Sequence, residues 1–156
     1  MAMREADPER KILVIDSFEG CGKRTSEDFP TDENYEGAFS ADGVENYLKQ
    51  FEIQEVKPPN QIVKTWIDSD SIKAVKPRDI SVLFLDLDFY VPTSACIKYL
   101  KPMIVKDGVL LIHDYNMKTC PGIKRCCDEE SLELTFLAGY LSEWRKDVSI
   151  NVKCFT

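Results

Sequence analysis

An apolar run that ends in two carboxylates is the feature that most constrains the fold of this chain. Residues 82–87 are apolar apart from Asp86, and Asp88 follows with one residue between the two carboxylates. Such a run is typical of a strand buried on both faces of a parallel sheet, whose carboxyl end is where open α/β sheets bind ligands. Two neighbouring carboxylates repel each other unless a cation, a proton or a hydrogen-bonding ligand lies between them. The alternative is a turn in which one carboxylate caps the next helix.

Strand and helix patterns alternate along the rest of the chain. Apolar runs predict strands at residues 11–15, 61–67, 80–87 and 109–112, and a closing antiparallel hairpin at 132–138 and 148–155. Helical spacing predicts helices at residues 40–51, 69–75, 92–105 and 121–130, with Ala95, Ile97, Leu100 and Ile104 on a buried face. This order predicts one α/β domain over residues 11–156, after a polar tail at 1–10. Its sheet is open and mostly parallel, with helices on both faces.

Length, charge and cysteine usage limit the classes of function. A chain of 156 residues is expected to form a single domain. Its net charge of -7, without a Lys/Arg cluster, argues against nucleic acid as a partner. No apolar stretch has the roughly 20 residues of a membrane span, and no signal peptide is visible. The six cysteines lack metal-site spacing, and without a secretory signal they are predicted to be reduced thiols of a cytoplasmic protein. The acidic net charge is consistent with a small-molecule substrate.

Acidic or metal-binding residues follow three of the predicted strands. Asp16 ends the first, Asp86 and Asp88 end the third, and His113 and Asp114 end the fourth. If the strands of Asp86 and Asp114 are neighbours, their carboxylates can converge on one divalent cation, and oxygen ligands with one imidazole suit Mg²⁺ or Mn²⁺. Asp16 stands where a carboxylate often accepts hydrogen bonds from a ribose diol. For His113 the alternative is a structural residue at a strand end.

Two enzyme families share only the motif at residues 85–88. The motif resembles the nucleophile motif of haloacid-dehalogenase-like phosphatases, but there a small residue follows the second Asp and the motif opens the domain. Here Phe89 and Tyr90 follow, past the middle of the chain. A glycosyltransferase-type Asp-x-Asp lacks a nucleotide-sugar fold signature around it. Neither family accounts for the other strand ends.

A wider series of motifs resembles the macrocin O-methyltransferase (TylF/MycF-like) family. These are class I S-adenosylmethionine-dependent enzymes that methylate sugar hydroxyls with Mg²⁺. The matching segments are residues 15–20, 37–40, 64–67, 85–90, 108–115 and 120–122. The resemblance extends from about residue 11 to about residue 130. It implies a Rossmann-like methyltransferase sheet and a sugar or other small-molecule hydroxyl as the acceptor.

The resemblance also implies roles for individual residues. Asp16, with Ser17 beside it, would hold the cofactor ribose. Asp86 and Asp114 would be metal ligands, and Asp88 would be the general base. The chemistry is consistent, because a metal lowers the cost of forming an alkoxide and a nearby carboxylate can accept the hydroxyl proton.

This chain departs from the family pattern at two places. His113 stands where the family has an aspartate; as a metal ligand, its imidazole would favour metals other than Mg²⁺. The Gly-rich turn and first central strand that hold the cofactor's methionine end have no counterpart before residue 11. We therefore expect either an O-methyltransferase, in full or truncated form, or a degenerate non-catalytic module that binds a partner through its open sheet edge. A homo-oligomer or a complementing chain would cover that edge.

Overall fold

The computed structural model describes residues 11–17, 25–28 and 61–146. The chain divides into two compact units. The first contains the described residues 11–17 and 61–67, and the second contains residues 25–28 and 68–146. The predicted helix at 40–51 and the predicted strand at 148–155 lie outside the described residues.

Two short parallel strands form the described part of the first unit. They are β1 (Leu13–Asp16) and β2 (Gln61–Lys64). Leu13 pairs with Gln61 and Asp16 with Lys64, and the Thr65 N–H extends the ladder by donating to the Asp16 carbonyl oxygen at 2.9 Å. Asp16 therefore lies at the carboxyl end of a parallel strand, as its sequence position predicts.

The second unit alternates helices and strands. Its helices are α1 (Ser69–Val75), α2 (Tyr90–Leu100) and α3 (Pro121–Glu129). Its strands are β3 (Ile80–Leu85), β4 (Ile104–Ile112), β5 (Thr135–Ala138) and β6 (Leu141–Arg145). None of the helices in the described part of the chain is long and apolar enough to span a bilayer.

Parallel strands and an antiparallel hairpin share one sheet in the second unit. The strand order is β3-β4-β6-β5, with β3 and β4 parallel and β6 antiparallel to both of its neighbours. The predicted α/β class and C-terminal hairpin are confirmed. The predicted second strand was wrong in position: β5 pairs with β6, a segment for which no strand was predicted, and not with residues 148–155. Only Gly139 and Tyr140 separate β5 from β6, and Gly139 takes a φ of 58° in this turn.

The segment between α2 and β4 differs from its prediction. The helix predicted to reach residue 105 ends at Leu100, and Pro102 lies in a 3₁₀ turn because proline cannot continue the helical hydrogen-bond ladder. Residues 106–108, predicted as a turn, belong to β4 instead. Gly108 permits this, since a Cβ there would lie 2.5 Å from Ile104 Cγ2 and 3.2 Å from the Ile80 carbonyl oxygen.

The core of the second unit lies between the sheet and the helices. The predicted buried residues Ala95, Ile97, Leu100 and Ile104 are all at most 6% exposed. On the sheet, the buried side chains include Leu85, Leu110 and Ile112. Helix α2 contacts β3, α1 and α3. This packing fixes the carboxyl ends of β3 and β4, after which the predicted site residues follow.

Candidate metal and base site

The pairing of β3 with β4 brings two of the predicted acidic strand ends together. Leu85 and Ile112 are the last partners in register. The His113 N–H then donates to the Leu85 carbonyl oxygen at 2.9 Å. Asp86 on one strand and His113 with Asp114 on the other consequently leave the sheet side by side.

Three side chains at this edge point their ligand atoms at one another. His113 Nδ1 lies 3.2 Å from Asp86 Oδ1 and 2.9 Å from Asp114 Oδ1. Nδ1 is buried, yet neither contact has the direction of a hydrogen bond. In an octahedral complex with ligand distances of about 2.1 Å, adjacent ligand atoms are about 3.0 Å apart. The two distances from Nδ1 match those between adjacent ligands of one divalent cation.

The charges of the cluster oppose ionisation of its carboxylates. Burial raises the pKa of Asp86 and of Asp114; the charge of Asp88 also raises both, and His113 counteracts this only in part. For His113, burial disfavours the imidazolium, but Asp114 and Asp86 together outweigh burial and raise its pKa. A metal that binds these groups requires their deprotonated forms, so its affinity would rise with pH.

Asp88 lies at the centre of a tight turn beside this cluster. The Phe89 N–H donates to the Leu87 carbonyl oxygen at 2.6 Å, which closes a γ-turn, and Asp88 has a φ of 59°. A non-glycine residue in this region is strained, and such strain is concentrated at functional sites. Ligand atoms of Asp88, Asp114 and Cys120 lie within 4.8 Å of one another. The turn therefore holds the Asp88 carboxylate next to Asp114.

Asp114 is the most enclosed member of the cluster. It is 5% exposed and has a φ of 60°. Its carbonyl oxygen accepts from the Met117 N–H at 2.9 Å, and the Met117 carbonyl oxygen accepts from the Cys120 N–H at 3.0 Å. These successive turns lead directly into α3, so the position of Asp114 depends on the start of that helix.

One buried carboxylate near the site has no signal in the sequence. Asp28 is 1% exposed, and its Oδ1 accepts from the backbone N–H of Tyr90 at 2.6 Å. The two residues are 62 positions apart, and the segment around Asp28 reads as a polar loop. No local periodicity or spacing could have found this contact.

Four of the six predicted site residues therefore meet in the second unit: Asp86, Asp88, His113 and Asp114. Asp16 and Ser17 belong to the first unit. There the Asp16 side chain is exposed at the end of β1, whereas Ser17 is 7% exposed.

Comparisons with solved structures reveal the same fold in methyltransferases. A calicheamicin methyltransferase, CalS11, superposes with a TM-score of 0.72 at 20% identity, covering 94% of this chain and 65% of that one. The O-methyltransferase NovP gives a TM-score of 0.68 at 21% identity, covering 92% and 64%. An apo structure of CalS11, described as a TDP-rhamnose 3'-O-methyltransferase, gives 0.63 at 20% identity, covering 94% and 64%. The chain thus spans slightly under two thirds of each of these proteins.

The sequence comparisons identify the family. A search of curated protein sequences found no match. The family model of the macrocin-O-methyltransferases (TylF) matches residues 1–129, which is most of the chain. The resemblance seen in the motif order is confirmed, and the chain belongs to the macrocin-O-methyltransferase (TylF) family.

Proposed function

We propose that this protein is a metal-assisted O-methyltransferase that acts on a sugar hydroxyl, with S-adenosylmethionine as the methyl donor. The observation that carries the proposal is the Asp86–His113–Asp114 cluster with Asp88 beside it, in a chain of the macrocin-O-methyltransferase family. The sugar acceptor is supported by the description of one structural neighbour as a TDP-rhamnose 3'-O-methyltransferase.

Asp86, His113 and Asp114 are the residues that would hold the cation. Their ligand atoms lie within 4.8 Å of one another, and the buried Nδ1 of His113 has no hydrogen-bond partner among the described residues. A bound divalent metal would lower the cost of deprotonating a coordinated hydroxyl. Two carboxylates and an imidazole suit Mn²⁺ better than Mg²⁺, because imidazole is the softer ligand.

Asp88 is the candidate general base. A carboxylate can accept the proton of an acceptor hydroxyl that lies within hydrogen-bond distance. The γ-turn at Asp88 holds the carboxylate beside Asp114 rather than within the Asp86–His113 pair. This separation supports different roles for the two aspartates of the Asp-x-Asp motif.

Asp16 and Ser17 are the proposed contacts to the ribose of S-adenosylmethionine. The exposed carboxylate of Asp16, at the end of a parallel strand, can accept hydrogen bonds from two ribose hydroxyls. S-adenosylmethionine supplies the methyl group when it is bound.

The test compares two carboxylate-to-amide variants in the full chain. Asp88→Asn should lower kcat for methylation of a TDP-deoxysugar by about 10²-fold or more, the usual effect of losing a general base. Its Mn²⁺ affinity, measured by calorimetry, should stay within about twofold of wild type, since Asp88 is not a proposed ligand. Asp86→Asn should lose both activity and Mn²⁺ binding.

Asp107→Asn is the matched control, because it makes the same chemical change on β4 at an exposed residue away from the strand's carboxyl end. Full activity in Asp88→Asn would refute the base assignment. Absence of S-adenosylmethionine binding by the folded wild-type chain, at millimolar cofactor, would refute catalysis by this chain.

A second candidate function is a non-catalytic module that binds a partner chain. The observation in its favour is the edge position of β3 in the described sheet, with Val82 and Phe84 there 38% and 52% exposed. Such an edge can pair with another strand. A monomeric mass in light scattering, unchanged at high protein concentration, would count against pairing with a second copy of this chain.

A further inference from the structure

The first turn of α2 has no cap from its own sequence. Its N-cap residue is Phe89, which has no side-chain acceptor for the free N–H groups at the start of the helix. Asp28 supplies that acceptor from another segment, through the 2.6 Å hydrogen bond from Tyr90 N–H to Oδ1. A carboxylate at this end of a helix is also favoured by the helix dipole.

The Asp28 carboxylate is fixed on both oxygens. Oδ2 accepts from the Thr25 backbone N–H at 3.0 Å and from the Thr25 hydroxyl at 3.1 Å. A buried carboxylate is tolerated when hydrogen bonds satisfy both of its oxygens. Here Thr25 and Tyr90 together provide these bonds. The carboxylate therefore links residues 25–28 to the start of α2.

Helix α3 closes around the same contact. A Cβ on Gly122 would lie 2.1 Å from Asp28 Oδ1 and 2.9 Å from the Tyr90 Cβ, so only glycine fits there. One turn further on, Cys126 Sγ donates to the Tyr90 carbonyl oxygen at 3.2 Å. Both backbone polar groups of Tyr90 are thus held, one by Asp28 and one by α3.

We propose that Asp28 is a positioning residue for Asp88. Asp88 is two residues before Tyr90, in a γ-turn with a strained φ of 59°. Strained backbone persists only where the surrounding structure fixes it. The strand β3 fixes one side of this turn, and the bond from Tyr90 to Asp28 fixes the other. The inference rests on the proposed role of Asp88 as base.

The first test separates positioning from folding and from substrate binding. Asp28→Ala in the full chain should lower kcat by about tenfold or more, while KM and Mn²⁺ affinity stay within about twofold of wild type. Asp28→Asn should recover part of kcat, because the amide oxygen can still accept from the Tyr90 N–H while the amide nitrogen cannot accept from the Thr25 N–H. Glu27→Ala removes a carboxylate from the position just before Asp28 and should behave like wild type.

A second measurement does not depend on methyl transfer. Amide hydrogen exchange at Tyr90 should be at least about tenfold faster in Asp28→Ala than in wild type, and near wild type in Asp28→Asn. Exchange at Leu111, in the middle of the sheet, should be unchanged in both. If wild type proves inactive, the proposed function fails, while this measurement still decides whether Asp28 anchors α2.

Three results would overturn the proposal. One is unchanged exchange at Tyr90 in Asp28→Ala, and another is an equal loss of kcat and Mn²⁺ affinity. The third result applies if Asp28→Ala does not fold. It is a complete loss of kcat in Asp28→Asn while the Tyr90 amide remains protected from exchange. Gly122→Ala should reproduce the Asp28→Ala effects, and the double variant should be no worse than Gly122→Ala alone, since both changes break one contact.

Discussion

At the scale of single residues, His113 distinguishes this protein most clearly from the family pattern that its sequence resembles. His113 stands where that pattern has an aspartate. Its Nδ1 is buried between Asp86 and Asp114 without a hydrogen bond. With His113 as a metal ligand, as proposed, the loss of one negative charge and the softer imidazole would both weaken the preference for Mg²⁺.

His113→Asp should therefore strengthen Mg²⁺ binding. A third carboxylate adds a hard oxygen ligand, and we expect the dissociation constant measured by calorimetry to fall about tenfold, or about 1.4 kcal/mol. Asn116→Asp is the control, since it adds the same charge two residues beyond Asp114, on an exposed residue outside the cluster. An unchanged Mg²⁺ affinity in His113→Asp would place residue 113 outside the metal ligands.

At the scale of elements, two helices of the second unit begin in contrasting ways. Helix α1 has a local cap: the Asp68 carboxylate accepts from Asp70 N–H at 2.9 Å and Ser71 N–H at 2.8 Å, and the Ser71 hydroxyl accepts from Asp68 N–H. Helix α2 depends on Asp28 instead. The first cap can be read from neighbouring residues, and the second cannot.

Asp68→Ala should lower the free energy of unfolding by about 1 kcal/mol, the usual cost of losing an N-cap. The Ser71 and Asp70 N–H groups lower the pKa of Asp68 below its ordinary value of 3.8. The stabilisation is consequently present above pH 3.8 and is lost as pH falls through the lowered pKa. Urea unfolding at neutral and acidic pH measures both effects.

Asp70→Ala is the control for this prediction. Asp70 lies in the first turn of the same helix, but its only described ion pair is with Lys73 at 3.8 Å, on the surface. Its loss should cost no more than a few tenths of a kcal/mol, since exposed ion pairs contribute little. An equal loss of stability in the two variants would show that charge near the helix start, and not the cap, is responsible.

At the scale of the whole molecule, the acidic cluster makes stability depend on pH, and the proposed metal would change that dependence. The pKa values of Asp86, Asp114 and His113 are all raised in the folded protein. Each group therefore stabilises the metal-free fold below its unfolded pKa and stops doing so as pH rises through its folded pKa. A bound cation requires the deprotonated ligands, so its contribution has the opposite sign.

We expect the metal-free protein to lose unfolding free energy as pH rises from the ordinary aspartate pKa of 3.8 through the raised pKa of His113, above 6.5. In His113→Asn the part of this loss above pH 6.5 should disappear. Saturating Mn²⁺ should raise the melting temperature more at pH about 8 than at pH about 5, since protons compete with the metal. Thermal unfolding in each buffer measures these changes; stabilisation by Mn²⁺ independent of pH would contradict them.

Local patterns were sufficient to locate strands and several helices, although β2 and β3 end at residues 64 and 85 and not at the predicted 67 and 87. Apolar runs located β1, β3 and the carboxyl end of β4, and Asp68 marks the start of α1 because capping acts within a few residues. The predictions were wrong where nonlocal contacts decide. Residues 106–108 look like a turn but belong to β4, where they interrupt its register with β3: Ile80 pairs with Ile104, and Val82 already pairs with Val109. Gly108 allows the close approach to Ile80 and Ile104 at this irregularity.

The sequence by itself determined the α/β class and the family, and it placed Asp86, Asp88, His113 and Asp114 after predicted strands, because each follows an apolar run that is typical of a strand. The expected burial of β3 on both faces was wrong, since Val82 and Phe84 are 38% and 52% exposed. Only the tertiary structure decided that β3 and β4 are neighbours and that Nδ1 of His113 faces two carboxylates. It also revealed Asp28 as the anchor of α2. The physical reason is that side-chain direction and contacts across 62 residues depend on packing, which no local pattern encodes.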